Sequence, residues 1–227
     1  MARHGKRYLK IEKDVESKVY DLGEAIRFLK AHKTAKFDET AELAIRLGVD
    51  TKKTDQTVRG TVGLPHGTGK TVRVLVFAAG AAADAARAAG ADHVGNEDMI
   101  EKVKGGWTEF DIAIATPDAM KEVRKLGKVL GPRGLMPNPK TGTVTDDTAS
   151  AVRASKAGRV EFRMDRNGNC QVPFGKLSFD EPKLLENVTA VIAAIRATRP
   201  AATKGIFIKR CTVSSTMGVG LRVDVRD

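Results

Sequence analysis

Residues 67–71, Gly-Thr-Gly-Lys-Thr, have the residue types that hold a phosphate group in nucleotide-binding loops. A loop of the G-x-x-x-x-G-K-[ST] type needs a glycine five positions before its last glycine, and this chain has Leu64 there. The neighbouring Pro65 has no N–H to offer a phosphate oxygen. The β-branched, apolar run 71–77 predicts a strand, whereas a phosphate loop leads into a helix N-terminus. We interpret the stretch as a flexible connection between β-rich segments, the alternative being a nucleotide-dependent enzyme that uses Lys70.

Other residue types that support catalysis or metal binding are scattered along the chain. Cys170 and Cys211 lie 41 positions apart in no C-x-x-C pattern, so we expect buried or idle thiols rather than a disulfide or zinc site. The carboxylate pairs 38–39 and 146–147 fall at a strand start and in a loop, and we interpret them as solvated. The histidines without paired-ligand spacing are His4, His32, His66 and His93. The sequence therefore predicts a protein without catalysis, cofactor or metal ion.

The net charge of +11 and the isoelectric point near 9.7 favour a polyanionic partner, most often nucleic acid. Aromatic residues make up only 5% of the chain, so a reader of folded nucleic acid is favoured over a protein that stacks single-stranded bases. The alternative is that the excess lysine serves solubility. No run approaches the ~20 apolar residues of a membrane span, and the start MARHGKRYLK is charged. We expect a cytoplasmic protein with no membrane partner.

The two ends of the chain share one style of element. Asp21 and Glu24 form a capping-box pattern that predicts a helix over 21–33, and apolar side chains alternate on odd positions from 37 to 47. Asn167-Gly168 predicts a hairpin between two alternating runs. The remaining predicted strands are 57–64, 160–164, 170–174, 205–215 and 221–226, with a helix over 184–195.

The middle of the chain alternates strand and helix, which is typical of a small layer with a mainly parallel sheet. Its predicted strands are 71–78, 92–94 and 110–116, and its predicted helices are 81–89, 96–104 and one that starts near Pro117. Residues 127–144 are too rich in glycine and proline for a regular element and predict a long loop.

These patterns predict an α+β discontinuous domain, 1–67 and 159–227, with an inserted α/β domain, 68–158, that is Rossmann-like with a mainly parallel sheet. The net charges support this division. Residues 1–67 carry +4, residues 159–227 carry +5, and residues 68–158 carry +2. If the chain binds nucleic acid, the discontinuous domain is the better candidate for the main surface.

Several strings resemble the bacterial members of the ribosomal protein L1 family over nearly the whole chain. They are MARHGKRY, TAKFDET, DQTVRGTVGLPHGTGK, GKVLGPRGLMPNPKTGTV and SSTMG. The resemblance implies a large-subunit protein that binds 23S rRNA at the mobile stalk near the tRNA exit site and assists release of deacylated tRNA. It further implies repression by binding the protein's own operon mRNA, and a monomer when the protein is off the ribosome.

The resemblance also implies which residues contact RNA. They are Lys36, Phe37, Thr40, Glu42, Thr216, Met217 and Gly218. Thr216 can exchange hydrogen bonds with a ribose 2′-OH, and Gly218 allows a close backbone approach. The alternatives are an ordinary hairpin turn with a buried Met217, and Phe37 as the first core residue of its strand. The family often has a proline where this chain has Val219, which leaves the detail of the turn open.

Secondary RNA contacts are implied at Arg3, Lys6, Arg133 and Lys140. Arg3 and Lys6 belong to a basic arm that either touches the RNA backbone or is disordered. Arg133 and Lys140 lie on a proline-stiffened loop, which is otherwise a solvated surface loop.

Overall fold

The computed structural model describes residues 4–225 as a mixed α/β protein with several sheets. Contacts between residues divide the chain into two compact units. We call Met1–Gly69 with Val160–Asp227 the terminal unit, and Lys70–Arg159 the central unit.

The helices and strands are numbered along the chain. The α-helices are α1 (Lys6–Asp14), α2 (Leu22–Ala31), α3 (Ala81–Ala88), α4 (Glu97–Lys104), α5 (Met120–Val123), α6 (Gly127–Leu130), α7 (Thr148–Lys156) and α8 (Glu181–Ala197). The strands are β1 (Thr40–Leu47), β2 (Arg59–Gly63), β3 (Val74–Phe77), β4 (His93–Gly95), β5 (Ile112–Ala115), β6 (Arg159–Arg163), β7 (Asn169–Lys176), β8 (Ile208–Ser215) and β9 (Leu221–Val223). Short 3-10 turns are Thr54–Gln56, Arg124–Leu126 and Pro139–Thr141.

The terminal unit is built on a sheet in the order β7-β1-β8-β9. The strand β1 is antiparallel to both of its neighbours, and β8 is antiparallel to β9. Alternate residues of β1 are buried, as the period of two in its sequence predicts. The helices α2 and α8 supply the apolar side chains that complete one core with this face. The opposite face of the sheet is left to solvent.

Two helices of the terminal unit follow from local chemistry. The Asp21 carboxylate caps α2 by accepting a hydrogen bond from the Gly23 N–H at 3.0 Å. Helix α8 has Pro182 in its first turn and buries a stripe of apolar residues. That stripe consists of Leu184, Val188, Val191, Ile192 and Ile195.

The central unit contains a parallel sheet in the order β4-β3-β5. All four residues of β3 are buried, as expected for a strand that is covered on both faces. Val74 and Val76 pack in a core with α3 and α7, whereas Leu75 and Phe77 pack in a second core with α4, α5 and α6. The parallel sheet predicted for the middle of the chain is therefore present.

Three predicted features are wrong in part. Residues 6–14, expected as an arm, form helix α1. Residues 127–130, expected as loop, form the helical turn α6. The Asn167-Gly168 turn is present, with a φ of 81° at Gly168, but β6 pairs with β2 and β7 pairs with β1. Within the described residues, a single bridge between Met164 and Cys170 joins the two runs that were expected to form a hairpin.

Both cysteines are free thiols buried in the core of the terminal unit. Burial raises the pKa of Cys170 to about 11 and that of Cys211 to about 12. The two thiols are therefore uncharged at neutral pH, and the prediction that they are buried is confirmed. Across residues 4–225, no helix has the length and apolar character to cross a bilayer.

Candidate nucleic-acid interface

Two segments that are far apart in sequence meet at one end of the four-stranded sheet. Strand β1 begins at Thr40 and β8 ends at Ser215, and because the strands are antiparallel these ends lie side by side. The Thr40 N–H donates to Thr216 Oγ1 at 3.0 Å, and the Thr216 N–H donates to the Thr40 carbonyl at 3.1 Å. The predicted residues of both segments are thereby brought together.

Glu39 holds these segments in place from beneath. Its side chain is 1% exposed, and its Oε2 accepts from the Ser215 hydroxyl at 2.7 Å and the Met217 N–H at 3.1 Å. Its Oε1 accepts from the Ala35 N–H at 3.3 Å. We call Glu39, segment 34–37 and turn 215–218 the Glu39 clamp. A buried carboxylate with three protein donors fixes backbone on both sides of the site.

Hydrogen bonds from its donors stabilise the charged form of the Glu39 carboxyl group. Burial acts to raise the pKa of this carboxyl, but the hydrogen bonds from Ser215 and from the Met217 and Ala35 amides outweigh burial and hold the pKa below its ordinary value. Glu39 is therefore ionised at neutral pH. The interpretation of residues 38–39 as a solvated pair is wrong for Glu39.

Asp38 ties the same segment to the turn between β7 and α8. Its carboxylate accepts from the Ser178 N–H at 3.1 Å and the Ser178 hydroxyl at 2.7 Å, and lies 3.6 Å from Lys33 Nζ. Burial again acts to raise the pKa of Asp38, and the bonds from Ser178 hold that pKa below its usual range. Lys176 Nζ donates to the Asp38 carbonyl at 3.2 Å and to Thr40 Oγ1 at 2.9 Å. The segment before β1 is thus anchored on a second side.

The residues that the clamp supports present their side chains to solvent. Phe37 is 53% exposed and Met217 is 49% exposed, while Lys36 and Thr216 are also exposed. Phe37 is not a core residue and Met217 is not buried, so both structural alternatives fail. A surface that offers two large apolar groups beside a cation and a hydroxyl is suited to a partner with flat faces and charged groups.

Gly218 and Val219 close the turn. The Gly218 N–H donates to the Ser215 carbonyl at 3.1 Å, and a Cβ built on Gly218 would lie 2.4 Å from Ser215 Oγ. A side chain there would displace the hydroxyl that binds Glu39. Val219 is 3% exposed and belongs to the core, so an apolar side chain anchors the end of the turn.

Glu42 lies on the solvent face of β1, opposite Ser214 of β8. It is exposed, and the carboxylate of Glu42 takes part in none of the ion pairs found among the described residues. Thr40, two residues earlier on the same face, is half-buried. Both residues border the clamp without being part of it.

Lys6, Arg133 and Lys140, three of the residues implied as secondary contacts, are not part of the Glu39 clamp. Lys6 is exposed at the start of α1, and Arg3 lies outside the described residues. Arg133 and Lys140 are exposed in the central unit, where the Arg133 guanidinium donates to Thr108 Oγ1. Arg7, next to Lys6 on α1, donates to the Thr34 carbonyl of the clamp at 3.3 Å, so α1 adjoins the clamp.

The sequence contained a signal for the residues that the predictions missed. The alternation in β1 places Glu39 on the same side as Ala41 and Leu43, which is the buried face. The alternation in β8 places Ser215 on the side of Cys211 and Val213. Two polar residues at adjacent ends of paired, inward-facing rows indicate a buried hydrogen bond.

The glycine-rich stretch of residues 67–71 is followed by a strand and not by a helix. Residues 71–73 are irregular and lead into β3, the strand predicted there. Gly67 and Gly69 have φ values of 68° and 72°, and a Cβ on Gly69 would lie 2.8 Å from Lys176 Cγ. The boundary between the two units falls directly after Gly69.

The whole arrangement of the site lies within a region that matches a known family. The sequence model described as the Ribosomal protein L1p/L10e family matches residues 29–219, which include the entire Glu39 clamp. Proteins of this family are structural components of the large ribosomal subunit in the cytoplasm, bind rRNA and are not enzymes. The chain therefore belongs to the Ribosomal protein L1p/L10e family and is a large-subunit ribosomal protein that binds rRNA.

Proposed function

We propose that this chain binds the mobile stalk of 23S rRNA near the tRNA exit site, and that the Glu39 clamp is the centre of its RNA surface. The observation that carries the proposal is the buried Glu39, which bonds to Ser215, Met217 and Ala35 and so holds both exposed segments in one arrangement. A fixed arrangement reduces the entropy lost when the RNA binds.

Each exposed residue has a role that suits folded RNA. Thr216 Oγ1 can donate to or accept from a ribose 2′-OH, and Gly218 lets the RNA approach the backbone. Lys36 can pair with a phosphate. Phe37 and Met217 offer apolar faces to unstacked bases or sugars.

Two further residues of the surface have narrower roles. Glu42 is an acceptor only, so it addresses base amino groups or 2′-hydroxyls rather than phosphates. The Thr40 hydroxyl already accepts from Lys176, which orients it, and the same oxygen retains a proton to donate.

The distribution of charge supports the terminal unit as the main RNA-binding part. Residues 1–67 have 14 basic and 10 acidic residues, and residues 159–227 have 12 basic and 7 acidic residues. Residues 68–158 have 13 basic and 11 acidic residues. Lys6, Arg133 and Lys140, together with Arg3, are proposed as weaker contacts to RNA backbone.

A filter-binding titration with a transcript of the 23S stalk tests this proposal. We expect Thr216→Val and Met217→Ala each to weaken binding roughly threefold to tenfold, the effect of about 0.5–1.5 kcal/mol for one lost contact. Lys70→Ala, at the unit boundary, serves as the control and should have less effect. Equal losses in all three variants would contradict the site.

Two further roles, one in regulation and one in translation, accompany this proposal. A protein that reads an RNA fold by shape binds any RNA with that fold, so we propose repression of its own operon through a stalk-like structure in the messenger. We also propose that the stalk-bound protein assists release of deacylated exit-site tRNA, and that the free protein is a monomer. Competition between the stalk transcript and the operon leader for the protein tests the first role; a leader that does not compete would exclude it.

A further inference from the structure

Three arginines lie on the solvent face of the four-stranded sheet, beyond the Glu39 clamp. Arg46 of β1 and Arg210 of β8 are direct cross-strand partners. Arg222 of β9 is opposite Thr212, two residues along β8 from Arg210. All three side chains are exposed. We call these residues the arginine patch.

The patch concentrates like charges, and Asp224 is an acidic residue in the cleft lining that it shares with Arg210 and Arg222. Like charges directly opposite each other on neighbouring strands destabilise a sheet. The ion pairs of residues 4–225 include none of the three arginines. The register shifts after Arg46, so that no residue of β1 lies opposite Lys209. Lys209 is exposed and adds a fourth cation next to Arg210. The sheet therefore carries a local charge that an anionic partner would relieve.

A cleft opens beside the patch where β9 ends. Cys211 and Val223 are the last paired residues of β8 and β9. The cleft has a volume of about 400 Å³, and its charged lining consists of Lys209, Arg210, Arg222 and Asp224. Its apolar wall includes Ile206, which is 68% exposed, and Val19, which is 48% exposed. Cations at the rim and apolar groups on the wall suit a nucleotide, with phosphate outside and base inside.

The surface between the clamp and the patch is open to a strand of RNA. Arg210 and Thr216 are six residues apart along β8 and its turn, or roughly 20 Å at the rise of an extended strand. The intervening cross-strand pairs on this face are Glu42 with Ser214 and Ala44 with Thr212. The small side chains of Ala44, Thr212 and Ser214 leave room for a backbone, and the two hydroxyls can contact 2′-OH groups, as can the Glu42 carboxylate as an acceptor.

We propose that the arginine patch is a second RNA contact of the terminal unit. An RNA segment that leaves the Glu39 clamp crosses the sheet with its phosphates on Arg46, Arg210 and Arg222, and one unpaired nucleotide of that segment enters the cleft. This inference rests on the proposed function, because the segment is continuous with the RNA held by the clamp.

Salt-dependent titrations of the full chain with the 23S stalk transcript test the inference. Each of Arg46→Gln, Arg210→Gln and Arg222→Gln should weaken binding and reduce the slope of log K against log salt by about 0.7, the value for one phosphate of a single strand. Ile206→Ser should weaken binding with the slope unchanged. Arg124→Gln, an exposed arginine of the central unit, is the matched control for net charge and should keep the wild-type slope.

The outcomes separate this inference from the proposed function. If the wild type binds, Thr216→Val weakens binding and the three patch variants keep the wild-type slope, the patch is overturned and the clamp stands. An equal change of slope in Arg124→Gln would show that the loss follows from net charge rather than from the position of the arginines, and would also overturn the patch. Unchanged affinity of Ile206→Ser would show that no nucleotide of the RNA enters the cleft. A wild type that does not bind would instead overturn the proposed function.

Stability of the RNA-free protein provides a second readout. Because Arg46 and Arg210 repel each other across the sheet, Arg46→Gln and Arg210→Gln should melt at the same or a higher temperature than the wild type. Weaker RNA binding in a variant that melts no lower cannot be due to unfolding. A lower melting temperature would contradict the like-charge argument.

Discussion

Glu39 shows how one buried charge organises an exposed surface. Removal of a carboxylate from water is unfavourable unless donors replace the water. Here Ser215, Met217 and Ala35 provide those donors, and two of them belong to the turn that carries the exposed Met217 and Thr216. The same hydrogen bonds that stabilise the charge therefore fix the geometry of the candidate RNA surface.

Glu39→Gln should destabilise the protein by about 1–3 kcal/mol at neutral pH, because the NH2 group that replaces one carboxylate oxygen cannot accept a hydrogen bond. Either Ala35, or Ser215 together with Met217, then loses its acceptor. Urea unfolding measures the change, and the stalk titration should show weaker binding in the same variant. Glu42→Gln removes an exposed carboxylate from the adjacent strand and should change stability by less than about 0.5 kcal/mol.

The pH dependence of this difference identifies its source. The pKa of Glu39 in the folded protein lies below its ordinary value of 4.5, so the carboxylate stabilises the fold above that pH and the contribution is lost as pH falls through the folded pKa. Wild type and Glu39→Gln should therefore converge in stability in acid. A difference that stays constant from neutral pH to pH 3 would show that the charge is not responsible.

Only part of the site could be foreseen at the residue scale. The exposed residues were named from short strings that resemble a family, but whether Phe37 and Met217 face solvent depends on how two distant segments pair. Glu39 was misjudged because a carboxylate beside Asp38 is usually solvated, and two of its three donors lie 176 and 178 positions away. The local sequence pattern does not indicate which residue will donate a hydrogen bond across such a separation.

At the scale of elements, local periodicity succeeded where one face of the element is apolar. Strands β1 and β8 and helices α2 and α8 match their predicted types because each buries one side. Helix α1 was missed since it buries only Ile11 in a run of charged residues. The β6–β7 hairpin was wrong in part, because the turn and one antiparallel bridge form but the pairing of the strands is decided by distant neighbours.

Asn187 is the polar residue on which the packing of α8 depends. It is fully buried, and its side chain accepts from the His66 N–H at 3.1 Å and donates to the carbonyls of Phe174 at 2.8 Å and Gly67 at 3.1 Å. One amide therefore joins α8 to β7 and to the chain that follows β2. This link lies close to Gly69, the last residue of the first of the two segments that form the terminal unit.

Asn187→Leu should destabilise the protein by about 2–4 kcal/mol, because three backbone groups lose their partner and leucine cannot replace it. Urea unfolding followed by circular dichroism measures this loss. Thr189→Val, on the exposed side of the same helix, is the control and should stay within about 0.5 kcal/mol of the wild type. An equally mild effect of both substitutions would show that the backbone groups find other partners.

At the scale of the whole molecule, each compact unit has cores of its own. The largest core contains only residues of the terminal unit, and the two smaller cores contain only residues of the central unit. The chain leaves the terminal unit after β2 and returns in β6, and these two strands are neighbours in one sheet. A short linker can therefore replace the chain between them.

Replacement of residues 68–158 by a short Gly-Ser linker should leave a folded terminal unit. Because its core, the Glu39 clamp and the arginine patch are all retained, the remainder should bind the 23S stalk transcript within about tenfold of the full chain, or ~1.4 kcal/mol. Circular dichroism verifies folding and filter binding measures affinity, with Thr216→Val introduced into the shortened protein as the control. A remainder that folds but does not bind would place the main RNA surface in the central unit, where Arg133 and Lys140 would then be the first residues to test.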